Sequence, residues 1–403
     1  MKRILSVLLA VALLCTLLAG CGKETARQDG PVTITIWHDK EDEVAAALQA
    51  ELDKLSPDIK VVLEKKNNLT DSLKMVGNDP KSAPDMYFFA HDKIGVYAEM
   101  GILAPITDFL PKETFDNYLP MTVQAATYKE NIYQLPLYFE TLLFMYNKKY
   151  MPEEEVPKTT EELYAYMEKT TKGGHYGFVE QHSTAYYSAG WIHGYGGYII
   201  DAEAQPGLDL PQTVEALKYH KKFVELMPSE SEYATVNTLF SDGKAHSTIG
   251  GPWLVPTARE AGIDLGLAPM PTVDATGLPL APYSGVQGLH VLKVAAENKH
   301  DAIVKVLTQL TGTDIGAALA QASGCAPANV KCYDLPEVAS DESVMMMRKT
   351  AESAIPMPNI PEMDVMWTVA TNLLVDINMS GKDAATAAGE AQQKALQLIA
   401  QMK

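Results

Sequence analysis

Between Val32 and Gly101 the hydrophobic period switches back and forth between two and about 3.6 residues, and nothing else in the chain limits its fold so sharply. Val32, Ile34 and Ile36 alternate with Thr33, Thr35 and Trp37, as in a strand. From Glu41 to Ser56 the apolar positions Val44, Ala47, Leu48, Leu52 and Leu55 take helical spacing, with acids in the first turn and Pro57 just past the end. Ile59 to Leu63 reads as a second strand, and Met86 to Phe89, entered through Pro84-Asp85, as a third. Asp92 then opens a helix that Gly101 closes. Strand, helix, strand, helix in this order predicts a parallel α/β sheet.

At 403 residues the chain is long for a single core, so two domains are expected. The composition shifts after Glu140. Residues 150–163 are acidic and punctuated by proline, and Gly173, Gly174, Gly190, Gly194, Gly196 and Gly197 then interrupt an aromatic-rich stretch. A second domain is therefore expected to begin near 141. Residues 269–285 are again rich in proline and glycine, as suits a segment crossing between domains.

The first residues read as an address. Met1-Lys2-Arg3 precedes the apolar run Ile4 to Leu18, the layout of a secretory signal, and the run is short for a membrane span. Leu18-Ala19-Gly20-Cys21 resembles the bacterial lipobox, in which the cysteine becomes the new N-terminus and carries lipid. The expectation is a signal peptide over 1–20 and a lipidated, flexible tether over 21–31. Cys15 falls inside the signal, which leaves Cys325 and Cys332. Their spacing matches no zinc or redox motif, and two alternatives stay open: a small disulfide loop or two free thiols.

Lys and Arg total 33 against 51 Asp and Glu, a net charge of −18. Such a surface repels phosphate backbones and anionic headgroups, so nucleic acid is not an expected partner and membrane contact falls to the lipid alone. No GxSxG, HExxH or GxxxxGK[ST] motif occurs, and Gly194-Tyr195-Gly196-Gly197 lacks the third glycine of a dinucleotide fingerprint and reads as a turn. The nine histidines are dispersed without metal-ligand spacing. No metal or cofactor is expected.

Aromatic rings stand beside charged groups at two strand-to-helix junctions: Trp37 before Asp39 and Lys40, and Phe89 before Asp92 and Lys93. The carboxyl ends of parallel strands are where ligands sit in α/β sheets. A neutral sugar offers apolar C–H faces, which rings cover, and a rim of hydroxyls, which carboxylates and ammonium groups bind. Taken singly, each cluster reads more simply as a core ring beside a charged helix cap.

A resemblance gives these clusters their meaning. Asp85-Met86-Tyr87-Phe88-Phe89-Ala90-His91-Asp92-Lys93, continuing through Tyr97-Ala98 and Gly101-Ile102-Leu103-Ala104, resembles the corresponding stretch of the maltose/maltodextrin-binding proteins of bacterial ABC importers. Gly250-Gly251-Pro252-Trp253, and Met357-Pro358-Asn359-Ile360-Pro361-Glu362-Met363 followed by Trp367, resemble two further signatures in the same order. The resemblance implies that Asp39 and Lys40 bind sugar hydroxyls, and that Asp92 and Lys93 do the same with Lys in place of the family's Arg. It implies that Phe89 stands where the family has a tryptophan, that Glu140 binds sugar at the first crossing, and that Tyr186, Trp253 and Trp367 are the second lobe's stacking rings. The glutamate that precedes the family's tyrosine is missing, with Thr184 nearest in register.

The implied fold is α/β, of the type II periplasmic-binding-protein class: two α/β lobes joined by three crossings, near 141, 284 and 327, with the ligand in the cleft between them. The first lobe would comprise 32–140 plus 285–327, and the second 141–284 plus 328–403. The implied function is capture of a maltose/maltodextrin-type oligosaccharide by a monomeric, lipid-anchored, extracytoplasmic receptor that delivers it to the transmembrane subunits of an ABC permease. A receptor for a different oligosaccharide is the near alternative, and an adhesin or chemosensory receptor on the same fold a further one. An extracellular glycoside hydrolase would need a marked carboxylate pair, and none stands out locally.

Overall fold

The computed structural model describes residues 31–402. The expected signal over 1–20, the Cys21 lipid site and most of the tether lie outside the described residues.

The strands are β1 (Val32–His38), β2 (Ile59–Lys65), β3 (Met86–Ala90), β4 (Leu103–Ala104), β5 (Thr127–Tyr128), β6 (Asn131–Ile132) and β7 (Leu135–Thr141). After these come β8 (Leu143–Asn147), β9 (Ser247–Gly250), β10 (Leu265–Ala268), β11 (Tyr283–Leu292), β12 (Ala326–Pro327) and β13 (Ile355–Pro356). Eight of them form one large sheet of order β12-β7-β11-β3-β1-β2, with β4 and β13 also paired to β11. β1 runs parallel to β2 and to β3, with Ile34 opposite Val61 and Ile36 opposite Met86. This half matches the parallel sheet expected from the alternating periods. The other half corrects it: β11 runs antiparallel to both β3 and β7, so the sheet is mixed. The parallel strands follow one another through helical crossovers, whereas β11 enters from a distant part of the chain and is free to run the other way.

The expected first helix forms over Asp42–Leu52 and tightens into a 3-10 turn at Asp53–Leu55. Val44, Leu48 and Leu52 share its buried face. They join Ile34, Ile36, Phe88, Leu289 and Val291 in the core on that side of the large sheet. The helix expected from Asp92 begins as a 3-10 turn, His91–Lys93, and becomes α-helical over Ile94–Glu99; Gly101 then takes a left-handed φ of 68°. Gly194 ends the helix Ala185–Gly194, and Gly196, at φ 76°, completes the turn expected there.

At Thr141 the chain leaves the large sheet, and only Leu142 separates β7 from β8. β8 is the centre of a three-stranded antiparallel sheet, β10-β8-β9. Its core includes Phe144, Phe178, Trp191 and Phe223. The return strand β11 is fastened to the outgoing one: the Thr141 hydroxyl donates to the Tyr283 carbonyl at 2.9 Å and the Ser284 hydroxyl to the Glu140 carbonyl at 3.1 Å. The helices Met363–Asn378 and Ala384–Met402 pack on each other and on Ala185–Gly194 and Pro211–Val224.

The Met357–Met363 motif has a structural reason. Asn359 Nδ2 donates to the carbonyls of Ala125 and Thr127 at 2.9 and 2.8 Å, while its own carbonyl accepts from Gly95 N at 2.8 Å. A Cβ on Gly95 would lie 2.3 Å from that carbonyl oxygen, so only glycine allows the approach.

Candidate functional site

Asp39 and Lys40 follow the end of β1, and Asp92 and Lys93 follow the end of β3, so the parallel strands deliver both pairs to the same edge of the sheet. Lys40 Nζ lies 2.6 Å from Asp39 Oδ1 and 5.3 Å from the ring centres of both Phe88 and Phe89. Phe88 is core, whereas Phe89 is half-buried and keeps part of its face open. Lys93 Nζ sits 3.4 Å from Asp92 Oδ2 and 2.6 Å from Asp364 Oδ1. Burial opposes the charge on Lys93, yet the two carboxylates outweigh it and leave its pKa raised.

Behind these groups His91 is fully buried. Val286 N–H donates to its Nδ1 at 3.0 Å, so Nε2 carries the proton and donates to the Met357 carbonyl at 2.8 Å. One imidazole thus holds β3, β11 and the Met357 segment together.

Glu140, at the end of β7, faces Gly285 across the ladder. Its Oε1 accepts from Gln287 Nε2 at 2.8 Å, and Cys325 Sγ lies 3.8 Å from Oε2. Burial pushes the carboxyl pKa up, opposed chiefly by Lys40. Gln287 is 6% exposed, and its Oε1 is buried without a partner, as is Oε1 of Gln134.

The disulfide alternative for Cys325 and Cys332 is corrected here: both thiols are free and buried. Cys325 points at Glu140, whereas Cys332 Sγ lies 3.6 Å from the Thr313 carbonyl oxygen and packs onto Gly316. The two side chains serve different neighbourhoods, so their nearness in sequence brings no bond.

The rings come from four separate elements, and those of three of them touch in a run. Tyr186, in the first turn of Ala185–Gly194, lies 6.4 Å from Trp367 and 5.6 Å, edge to face, from Tyr187. Trp367 also meets Tyr283 at 5.5 Å. Trp253 stands at the start of the helix Leu254–Glu260 with its indole folded over Gly251, where a Cβ would come within 2.2 Å of the ring. Tyr187 and Trp253 both pack against the core of the small sheet. Burial raises the Tyr186 phenol far above its usual pKa, and the nearby charges of Glu140 and Asp92 add to the effect. Through Tyr283, two residues before the Gly285 that pairs with Glu140, the rings reach the large sheet.

Thr184 caps the Ala185–Gly194 helix through its backbone alone. The nearest carboxylate before it, Glu180, is buried and engaged by Trp191 Nε1 at 3.0 Å and His220 Nε2 at 2.5 Å. It belongs to the core of the small sheet. Asp364, Gln287 and Tyr187 were missed in the sequence. Tyr187 adjoins Tyr186, and Asp364 lies inside the last motif, three residues before Trp367, but nothing local marks Gln287.

A large mixed sheet and a small antiparallel one, joined through β7 and β8 and flanked by helices, make this an α/β protein of the periplasmic-binding fold. A solved cyclo/maltodextrin-binding protein complexed with maltotetraose superposes with a TM-score of 0.82 at 25% identity, covering 94% of this chain and all of that one. The profile of the bacterial extracellular solute-binding proteins matches residues 43–346, and the chain belongs to this family, whose members bind solutes and are not enzymes. A maltotriose-binding protein of Pyrococcus abyssi is 32% identical over 84% of this chain and 76% of its own length. A galactooligosaccharide-binding protein of Bacillus subtilis is 27% identical over 98% and 97%, and a maltooligosaccharide ABC transporter solute-binding lipoprotein of Streptococcus pneumoniae 27% over 96% and 95%.

Proposed function

We propose that this protein captures maltodextrin-type oligosaccharides outside the cytoplasm and delivers them to the transmembrane subunits of an ABC permease. The carrying observation is the contact of Tyr186 with Tyr187 and Trp367, beside a half-buried Trp253, in a chain whose β1 and β3 lead into Asp39, Lys40, Asp92 and Lys93 and whose β7 carries Glu140. In this reading residues 32–140 with 285–327 form one lobe, 141–284 with 328–403 the other, and closure presses sugar faces against rings. Each stack contributes roughly 1 kcal/mol, at about 25 cal/mol per Å² and about 40 Å² per face. Micromolar binding needs about 8 kcal/mol, so the charged groups must contribute much of the rest. A monomer held at the membrane by lipid on Cys21 fits the acidic surface and the likeness to a solute-binding lipoprotein of Streptococcus pneumoniae.

The Bacillus relative supports a second reading, a galactooligosaccharide ligand. Calorimetric titration with maltose, maltotriose, maltotetraose, cyclodextrin, galactooligosaccharides and xylooligosaccharides decides between them. Tightest binding to an α-glucan is expected. Tightest binding to a β-galactoside chain would replace the first reading by the second, and hydrolysed sugar would overturn both.

A further inference from the structure

Asp364 bridges two lysines on separate elements. Its Oδ1 meets Lys93 Nζ at 2.6 Å and its Oδ2 meets Lys74 Nζ at 2.9 Å, so each carboxylate oxygen has its own cation. Lys74 belongs to the helix Leu69–Val76 and Lys93 to the turn after β3. Both elements pack into the core of Leu69, Leu73, Tyr87, Ile94 and Tyr97. Asp364 belongs to the helix Met363–Asn378, whose buried face lies in a different core with Ala189, Ile192, Leu217 and Ile399. The ion pairs therefore add a charged side-chain tie between two elements that the His91–Met357 and Gly95–Asn359 hydrogen bonds already bring side by side.

What they tie is the binding machinery. Lys93 directly follows Asp92, and Trp367 lies one turn beyond Asp364, on the same side of its helix. We propose that Asp364 is a positioning residue that latches the Asp92-Lys93 turn to the helix carrying Trp367 and so sets how long a bound sugar is retained. The identity of the sugar rests on the function proposed above, but the latch itself does not.

Burial opposes the ionised form of Asp364, and Lys93 and Lys74 more than compensate, which leaves its pKa lowered. The latch therefore stays charged at neutral pH. The Lys93 side chain is only 14% exposed, so this pair is screened less than a surface ion pair. Loss of one partner of such a pair acts mainly on dissociation, because encounter precedes closure.

The test compares the full chain with Asp364→Asn, Asp364→Glu and Lys74→Gln, the last of which leaves the proposed sugar contacts intact. Stopped-flow tryptophan fluorescence with maltotetraose at low and high salt gives both rate constants, and small-angle scattering without sugar gives the radius of gyration. Asp364→Asn is expected to speed dissociation about tenfold at low salt with association nearly unchanged. Lys74→Gln should do so less, Asp364→Glu should restore part of the retention, and high salt should bring the wild type toward the Asn variant. Without sugar, the Asn variant should be the more expanded at equal melting temperature. Equal dissociation rates, or equal radii, in wild type and Asp364→Asn would overturn the latch. If the wild type binds none of the sugars, the proposed function fails, and the scattering comparison still judges the latch.

Discussion

Gln287 Nε2 donates to Glu140 Oε1 at 2.8 Å, beside the point where the chain steps from the large sheet to the small one. The pair puts a carboxylate at the root of the candidate site and holds it by one amide, with the amide's own oxygen left buried and unpartnered. Burial raises the pKa of Glu140, so ionising it costs folding free energy that its partners only partly return. A half-buried carboxyl held at such a cost is a candidate for function.

Glu140→Gln is therefore expected to leave the melting temperature unchanged or raised, because the cost of a buried charge disappears. Sugar affinity should fall about 10- to 100-fold, the loss of a charged hydrogen bond of about 1.5–3 kcal/mol. Calorimetry of binding and of melting on the same samples checks both directions. Unchanged affinity would place Glu140 outside the site.

Trp253→Ala and Trp367→Ala are each expected to weaken binding tenfold or more while lowering the melting temperature only a little, because both rings are half-buried. Trp191 supplies the contrast. It is 1% exposed and donates to Glu180, so Trp191→Phe should destabilise the fold by about 1–3 kcal/mol and leave the affinity of the folded fraction alone. A large melting loss in the first two variants would mark those rings as core.

The elements with a clean local period were legible: β1, β2, β3 and the first helix appear near where Val32 to Phe89 placed them. β11 was not, because Tyr283–Leu292 is buried throughout and carries Ser, Gly, Gln and His, so no face alternates. Its direction, which makes the sheet mixed, depends on strands roughly 140–200 residues away in the chain. The rings and charged pairs were found through motif resemblance, and their neighbours through three dimensions alone. Asp364 acquires its meaning from Lys74, 290 residues away, and Cys325 acquires its own from Glu140 instead of the nearby Cys332.

Acid should unfold this protein through its histidines. Burial lowers the pKa of His91 and His182, and takes His193 to about 4 and His290 to about 3. These imidazoles stay neutral in the fold while the unfolded chain protonates near 6.5, so below that pH the unfolded state binds more protons. The contribution to stability is complete above about pH 6.5 and is lost as pH falls toward about 4, by up to about 1.4 kcal/mol per pH unit for each group. The raised carboxyl of Glu140 acts in the opposite sense, but as one group against several. Urea midpoints at successive pH values should fall over this window, and His193→Asn should flatten the fall. A midpoint constant from neutral pH to about 4 would refute the assignment.

Replacement of Cys21 by Ser is expected to release the protein from the membrane fraction without altering sugar affinity, since none of the candidate sugar-binding residues belongs to the expected signal or tether. Cell fractionation of the variant checks this. Retention equal to that of the wild type would mean that something other than lipid on Cys21 holds the protein there.

Lys93 joins both proposals, since it is a candidate sugar contact and a partner of Asp364. Lys93→Arg puts a planar fork opposite two carboxylates that a single ammonium now serves, so affinity should hold or tighten. Lys93→Ala leaves Asp92 and Asp364 facing each other across an uncharged gap, and affinity should fall about 10- to 100-fold, or about 1.5–3 kcal/mol. A solvated first-turn lysine would make both changes nearly silent. Titration of both variants with the preferred sugar separates the cases: if Lys93→Ala binds as tightly as the wild type, the lysine serves neither sugar nor latch, and Lys74 alone would have to hold Asp364.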